Sequence, residues 1–294
     1  MSEKQKKQHY IPDSYLKKFA NQSENDKEKY FFFGFDKVKN LTFLTSTAEV
    51  CKEEDLYTVS NEYLDVIDSP CEDKKKVFEN DYFAHNEEKL FLSSLNNILL
   101  KVRDKQILSD KDKIEFCWHI ADLYLRHPLR KRIILGSIKQ SYESTLRSMF
   151  MLNRNTKIDL DFDDSIIHYE FGYGDDELKK IVANVLFKHK WLFLTTDKPK
   201  VFYTSCDPIS IEYHSNIPPS QLGITDKFTE ILFPLAFDVI LIMWDSQCSE
   251  SNNFEDLTIR RATDSDVVSC NMVTYANAQR FIYSISNYFD FKQK

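Results

Sequence analysis

Histidine, carboxylate and arginine side chains recur in this chain at spacings that suit proton transfer and anion binding. His9-Tyr10-Ile11-Pro12 follows a basic start containing Lys4, Lys6 and Lys7. A histidine just ahead of an aromatic and a proline either pins the N-terminal segment or acts as a general base. Glu79 and Glu87, eight residues apart, would sit about 80° apart on a helix. They could face one pocket edge-on, or simply face solvent. Glu115, His119, Asp122 and Arg126 follow at steps of four, three and four, so on a helix they share one face. That stripe reads as a base with charge partners, as ligands for one divalent metal, or as a solvated amphipathic face. Arg126 also opens Arg126-His127-Pro128-Leu129-Arg130-Lys131-Arg132. Bidentate arginine bonds there could clamp a phosphate or carboxylate. The same cations could instead answer a helix C-terminal dipole. Asp207 precedes Pro208 and is therefore extended. Alternation places Tyr203, Ser205 and Asp207 on one strand face, and Phe202, Thr204 and Cys206 on the other. Asp207 could be catalytic or metal-binding, or could close a turn at the strand end. Cys206 reads as a buried thiol.

Other chemistries are excluded. The five glycines are Gly34, Gly136, Gly172, Gly174 and Gly223. They cannot spell a dinucleotide fingerprint or a phosphate loop. HExxH and GxSxG are missing, and the remaining histidines show no metal spacing. Six cysteines without a CxxC pair resemble neither a zinc knuckle nor a small disulfide scaffold. A net charge of −7 gives no global nucleic-acid signature. Locally, Lys101 to Arg154 carries twelve Lys and Arg against six Asp and Glu. Ile158 to Leu178 carries eight acids and no Lys or Arg. The basic stretch reads as a solvated helix face or as a surface that meets phosphates. The N-terminus lacks an apolar signal region, and Val239 to Trp244 is too short to span a bilayer. The expectation is a soluble, reduced, cytoplasmic protein that does not enter a membrane.

These residues need elements to position them. Tyr15 to Ala20 suggests a helical turn. Tyr30–Phe35 and Lys39–Thr45 read as a hairpin. Helical spacing predicts one helix over Lys76–Arg103 and a second from a Ser109-Asp110 cap to about His127. A third has Pro128 in its first turn, and another runs from Asp175 to about Lys190. A strand is expected at Ile166–Phe171. Short β-rich runs follow at 191–196, 201–206, 209–213, 230–233, 239–244 and 257–262. Thr263-Asp264-Ser265 is expected to cap a closing helix through about Ile285. The fold class is therefore α+β: an N-terminal motif and hairpin (1–75), a helical middle (76–154), and an antiparallel β-rich region with a closing helix (155–294). Residues 1–294 are expected to form one integrated domain.

His9-Tyr10-Ile11-Pro12, with Tyr15-Leu16 and Phe19-Ala20, resembles the HYVPxxYLxxFA-like opening of the bacterial domain-of-unknown-function family 4238. Phe78-Glu79 and Glu87 resemble that family's paired glutamates. Arg126, Pro128 and Arg130 resemble its RxPxxR-like segment. Trp191-Leu192 leading to Thr204-Ser205 and Pro208 resembles its TSDNP strand, and Phe233-Pro234-Leu235 its PLSP element. Asn271 and Arg280 to Ser284 resemble its closing helix. The likeness spans nearly the whole chain. One departure stands out: Cys206 occupies the position of the family aspartate, and Asp207 follows one residue later, on the opposite strand face. Either a bulge lets Asp207 substitute, or that aspartate is not a rigidly placed catalytic group.

The resemblance implies a context rather than a reaction. Members resemble accessory proteins of mobile elements, and some look like single-gene antiviral systems. The chain is accordingly expected to be an anti-phage effector. The convergence of the matching segments on His, Glu, Arg and Asp, with the basic stretch 101–154, points to a nuclease, RNA favoured over DNA. His9 would be the base, Glu79 and Glu87 charge partners or ligands of a divalent metal ion, and Asp207 a further catalytic carboxylate. Arg126, Arg130 and Tyr10 would bind substrate. The alternative is a non-catalytic module recognising a phage component or host partner, its polar residues forming a buried network. A nucleotide-sensing pocket is a third reading.

Overall fold

A run of aromatics broken by one glycine, Tyr30-Phe-Phe-Phe-Gly-Phe35, and a Leu, Thr and Phe run build the first hairpin, β3 (Tyr30–Asp36) and β4 (Leu41–Ser46), with Phe33 opposite Leu44. Gly34 sits opposite Phe43, whose ring covers it so closely that a Cβ could not be accommodated. The computed structural model describes residues 7–54, 56–58, 64, 88–153, 155–160, 176–215 and 223–293. The fold is α+β.

Before the hairpin come β1 (Lys7–His9), α1 (Asp13–Leu16) and β2 (Asn21–Gln22), and after it β5 (Lys52–Glu54). The helical middle comprises α2 (Glu88–Arg103), α3 (Asp110–Leu125) and α4 (Pro128–Met149); α5 (Glu177–Lys188) follows. In α2, Phe91, Leu95, Ile98, Leu99 and Val102 recur at helical steps and are all buried. Ser109 and Asp112 form a reciprocal capping box that starts α3. Pro128 opens α4, and His127 before it is extended, as the pre-proline restriction requires. The start of the helix expected from Lys76, and the strand expected at 166–171, lie outside the described residues.

The C-terminal sheet has the order β11-β6-β10-β9-β8, from β6 (Lys190–Thr195), β8 (Ser210–Tyr213), β9 (Thr229–Ala236), β10 (Val239–Trp244) and β11 (Thr258–Arg261). It is antiparallel except for β11, which runs parallel to β6. Its middle strands are buried along nearly their whole length. Apolar residues pack on both faces, with Phe233 and Leu241 on one side and Leu232 and Ile240 on the other.

The chain end differs from expectation. The helix capped by Thr263 is α6 (Asp264–Asn277) and stops eight residues short of Ile285. Phe281–Ser284 is instead strand β12. It lies between β3 and β7 (Thr204–Ser205), so the N-terminal sheet is completed by two C-terminal strands. A β-rich, buried Ile282-Tyr283 and an Arg280–Asp36 ion pair of 2.8 Å favour the strand there over continued helix. Among the described residues, no helix is long and apolar enough to cross a membrane.

Candidate functional site

The N-terminal motif is fixed from three sides. β1 pairs with β5, placing His9 opposite Lys52. Gln8 points inward, where its side-chain oxygen accepts the Tyr57 N–H at 2.7 Å. The Tyr10 N–H donates to the Cys51 carbonyl at 3.1 Å. Pro12 then ends the extended run and begins α1. Tyr15 on that helix is fully buried. Its hydroxyl bonds Thr204 on β7 at 2.8 Å and donates to the Pro234 carbonyl on β9 at 2.7 Å. Three segments distant in sequence are thus locked at one point.

His9 is half-buried, and its Nε2 is buried with no hydrogen-bond partner. Burial pushes its pKa below the ordinary histidine value. The Asp13 carboxylate opposes that fall, Lys52 deepens it, and a backbone hydrogen bond at Thr47 favours the protonated ring. Burial keeps the imidazole neutral, and its unprotonated nitrogen can take a proton only from a donor that reaches the enclosed Nε2 within hydrogen-bond distance.

From His9 a row of charges runs inward. Asp13 holds Lys17 at 2.7 Å through one carboxylate oxygen, while the other is buried without a hydrogen bond. Its charge also reaches Glu88 at the start of α2. Burial raises the Glu88 carboxyl; Arg126 opposes this, and Asp122 and Asp13 add to it. Arg126 lies 3.7 Å from Glu88 and is almost fully buried. One turn back on α3, Asp122 meets the buried Lys179 of α5 at 3.3 Å. Tyr57 lies among Arg126, Asp122, Glu88 and Tyr10, all of which act on its hydroxyl.

This corrects the solvated-face reading of the α3 stripe. Of Glu115, His119, Asp122 and Arg126, only Glu115 is exposed. Lys179 of α5 covers Asp122, while Phe91 and Glu88 of α2 cover His119 and Arg126, so α3 buries polar as well as apolar sides.

A second group stands beside the first. The Tyr10 and His127 rings meet edge-on at 5.1 Å. Burial, with Glu53 and Asp207 nearby, pushes the Tyr10 hydroxyl up to about 12 against the opposing charge of Arg132. His127 accepts the Leu129 N–H on Nδ1 at 3.2 Å and reaches the Cys206 carbonyl from Nε2 at 3.0 Å. Both nitrogens are used, so it is neutral and structural. Arg130 pairs with Asp207 at 3.2 Å and lies over the Tyr124 ring at 4.8 Å. It lines a cavity of about 290 Å³ with Tyr124, Leu178, Val182, Ile224 and Thr225. The cation cluster is therefore partnered throughout: Lys131 donates to the Leu56 carbonyl, and Arg132 stands 3.7 Å from Glu53.

Strand alternation fails at Asp207 because β7 ends at Ser205. The Ser205 hydroxyl accepts the Asp207 N–H at 3.1 Å and donates to the Asp207 carbonyl, closing a turn. The expectation of unpaired, reduced thiols is also corrected. Cys51 and Cys206, 155 residues apart, are joined in a disulfide. Their spacing could not reveal this, because only the tertiary fold brings the turn after β7 to the loop before β5. Cys117, Cys248 and Cys270 are buried free thiols.

The fold thus gathers His9, Tyr10, Arg126, Arg130 and Asp207 into two adjoining groups. Glu79 and Glu87 lie outside the described residues. Sequence reasoning missed Asp13 and Glu88. Asp13 follows His9 by four across a proline, and Glu88 directly follows Glu87; those adjacencies were the available signals. Among the described residues, no group of three His, Cys, Asp or Glu is placed to hold a metal ion.

A family model described as "Protein of unknown function (DUF4238)" matches residues 7–287. The chain belongs to the DUF4238 family. Comparison with curated proteins and with solved structures gives no match. The DUF4238 match takes in every strand from β1 to β12, including both chain ends that share the N-terminal sheet. It also holds two kinds of motif residue. Tyr15, Thr204, Pro234 and Asn271 form the fold's internal bonds, Asn271 by binding the backbone of Val201 and Tyr203. His9 and Arg126 belong to the charged row instead.

Proposed function

We propose that this protein is a cytoplasmic antiviral effector of bacteria that cleaves RNA phosphodiesters, with His9 as the general base. The observation that carries the reading is the buried, unpartnered Nε2 of His9, next to Asp13 and at the head of the row leading to Arg126. RNA fits this set because its 2′-hydroxyl is an internal nucleophile. A neutral imidazole takes the 2′ proton, the oxygen attacks the adjacent phosphorus to form a 2′,3′-cyclic phosphate, and the P–O5′ bond breaks as the leaving oxygen takes a proton from water. A guanidinium near the phosphate stabilises the charge that develops. Asp13 orients His9 and steadies the imidazolium. Glu88 orients Arg126, and Tyr10 offers a base a ring to stack on. Glu79 and Glu87 remain proposed charge partners or metal ligands.

The test is incubation of the purified protein with transfer RNA, messenger RNA and DNA, with and without magnesium. RNA cleavage by the wild type, lost in His9→Ala, is the expected outcome. Intact RNA and DNA under every condition refute the catalytic reading. One observation favours the rival, a non-catalytic module recognising a phage component or host partner: Arg126 and Lys179 are buried and paired with Glu88 and Asp122, as members of a structural network would be. That reading predicts that His9→Ala leaves function in a phage-protection assay intact.

A further inference from the structure

The loop from Thr47 to Lys52 holds the base. It supplies the backbone group at Thr47 that faces the His9 ring, the Cys51 carbonyl that takes the Tyr10 N–H, and the β5 residue that pairs with His9. The turn after β7 holds the other group. It supplies the Cys206 carbonyl bound by His127 and the Asp207 carboxylate bound by Arg130. The Cys51–Cys206 disulfide joins this loop to this turn.

A second feature marks the same spot. Cys51 has φ of 52°, in the left-handed region that non-glycine residues avoid. A β-carbon is held there only where its surroundings over-determine the backbone. At Cys51 those surroundings are the disulfide and the Tyr10 hydrogen bond. Without the covalent tie, the residue is free to relax toward an ordinary conformation, carrying the Cys51 carbonyl away from Tyr10.

We propose that Cys51 and Cys206 are a thiol–disulfide switch that assembles the His9 site when bonded and loosens it when reduced. Its functional meaning rests on the His9 reading above. The exchange partner is a low-molecular-weight disulfide. One cysteine thiolate attacks it, forming a mixed disulfide and expelling one small thiolate. The second cysteine thiolate then displaces the other. Two protein thiols lose two protons and two electrons, and one small disulfide becomes two small thiols. Cys51 is buried and Cys206 only partly so, which makes Cys206 the sulfur that an incoming thiolate meets. In a reducing compartment a pair so placed acts as a regulator rather than a permanent staple.

The test equilibrates the full-length protein in glutathione buffers of varied ratio. After acid quenching, peptide mapping and amide hydrogen exchange are read on the same samples. The Cys51–Cys206 cross-link is expected to form and break reversibly. On reduction, exchange at residues 8–13 should accelerate by about tenfold, with β9 and β10 unchanged. Cys51→Ser and Cys206→Ala in oxidising buffer should each match the reduced wild type. Exchange at 8–13 that ignores redox state, or an oxidised protein without this cross-link, overturns the switch. Neither readout needs activity. Uncut RNA with redox-responsive exchange therefore refutes the nuclease reading alone and supports the switch.

Discussion

The sheet around β6, β10 and β9 and the helical wall around His9 bury residues of opposite kinds. The sheet interior is apolar on both faces: Phe193, Ile231, Phe233 and Leu241 on one, Leu194, Leu232, Ile240 and Ile242 on the other. The helical wall buries Arg126, His119, Lys179 and Lys131 at single-figure exposures. Apolar burial stabilises in proportion to area and tolerates neighbours of similar volume. Buried charge gives little net stability, because desolvation offsets the Coulombic gain. It does fix geometry, and an unpaired member is costly. The sheet therefore carries the stability, and the wall carries a position-specific arrangement.

The sharpest way to separate the two is substitution in each. Phe233→Ala, in a fully buried position stacked on Tyr15 and Phe116, should cost about 3–5 kcal/mol. Denaturant unfolding measures this directly. Asp207→Ala should cost about 2–4 kcal/mol, since it strands the mostly buried Arg130. The Asp207→Leu/Arg130→Leu pair should recover most of that loss. A double variant no more stable than Asp207→Ala would break the comparison.

Acid should weaken the wall before the sheet. His9, His119 and His127 all have values lowered by burial, below the ordinary 6.5. Below pH 6.5 the unfolded chain binds protons that the fold refuses. Stability is therefore complete above 6.5 and falls as the pH drops toward the lowered values. Each kcal/mol lost should reduce Tm by about 2–4 °C. Scans between about pH 7.5 and 5.5 check the sign, and a flat profile would contradict the assigned histidine environments. Smallest of all, Ser109→Ala removes the α3 capping box and should cost about 1 kcal/mol. It should leave the β-sheets' exchange protection intact.

The same contrast explains what was legible in the sequence. Elements with consistent local chemistry were readable: the aromatic hairpin, the run 239–244 that became β10, the Ser109 and Thr263 caps, and Pro128 at the head of α4. Phe281–Ser284 was misread as helix because α6 runs up to it without a break signal stronger than Asn277. Its strand pairing with β3 depends on residues some 250 positions away. The stripe on α3 looked solvated because periodicity records polarity, whereas burial there comes from Lys179 and Glu88 on other helices. Cys51 and Cys206 likewise meet only in the folded chain. His9 could be singled out by its neighbours Tyr10 and Pro12, but its free nitrogen could not.

The central claim is that His9 is a reactive base rather than a structural histidine, and one paired measurement addresses it. Cleavage of transfer RNA and thermal unfolding are recorded for the wild type and His9→Ala under identical conditions. A reactive His9 requires the rate to fall by about 10²–10⁴-fold, far beyond what the small Tm loss from the missing Thr47 hydrogen bond could cause. Unchanged cleavage, or a rate loss that merely follows a lowered Tm, would contradict it.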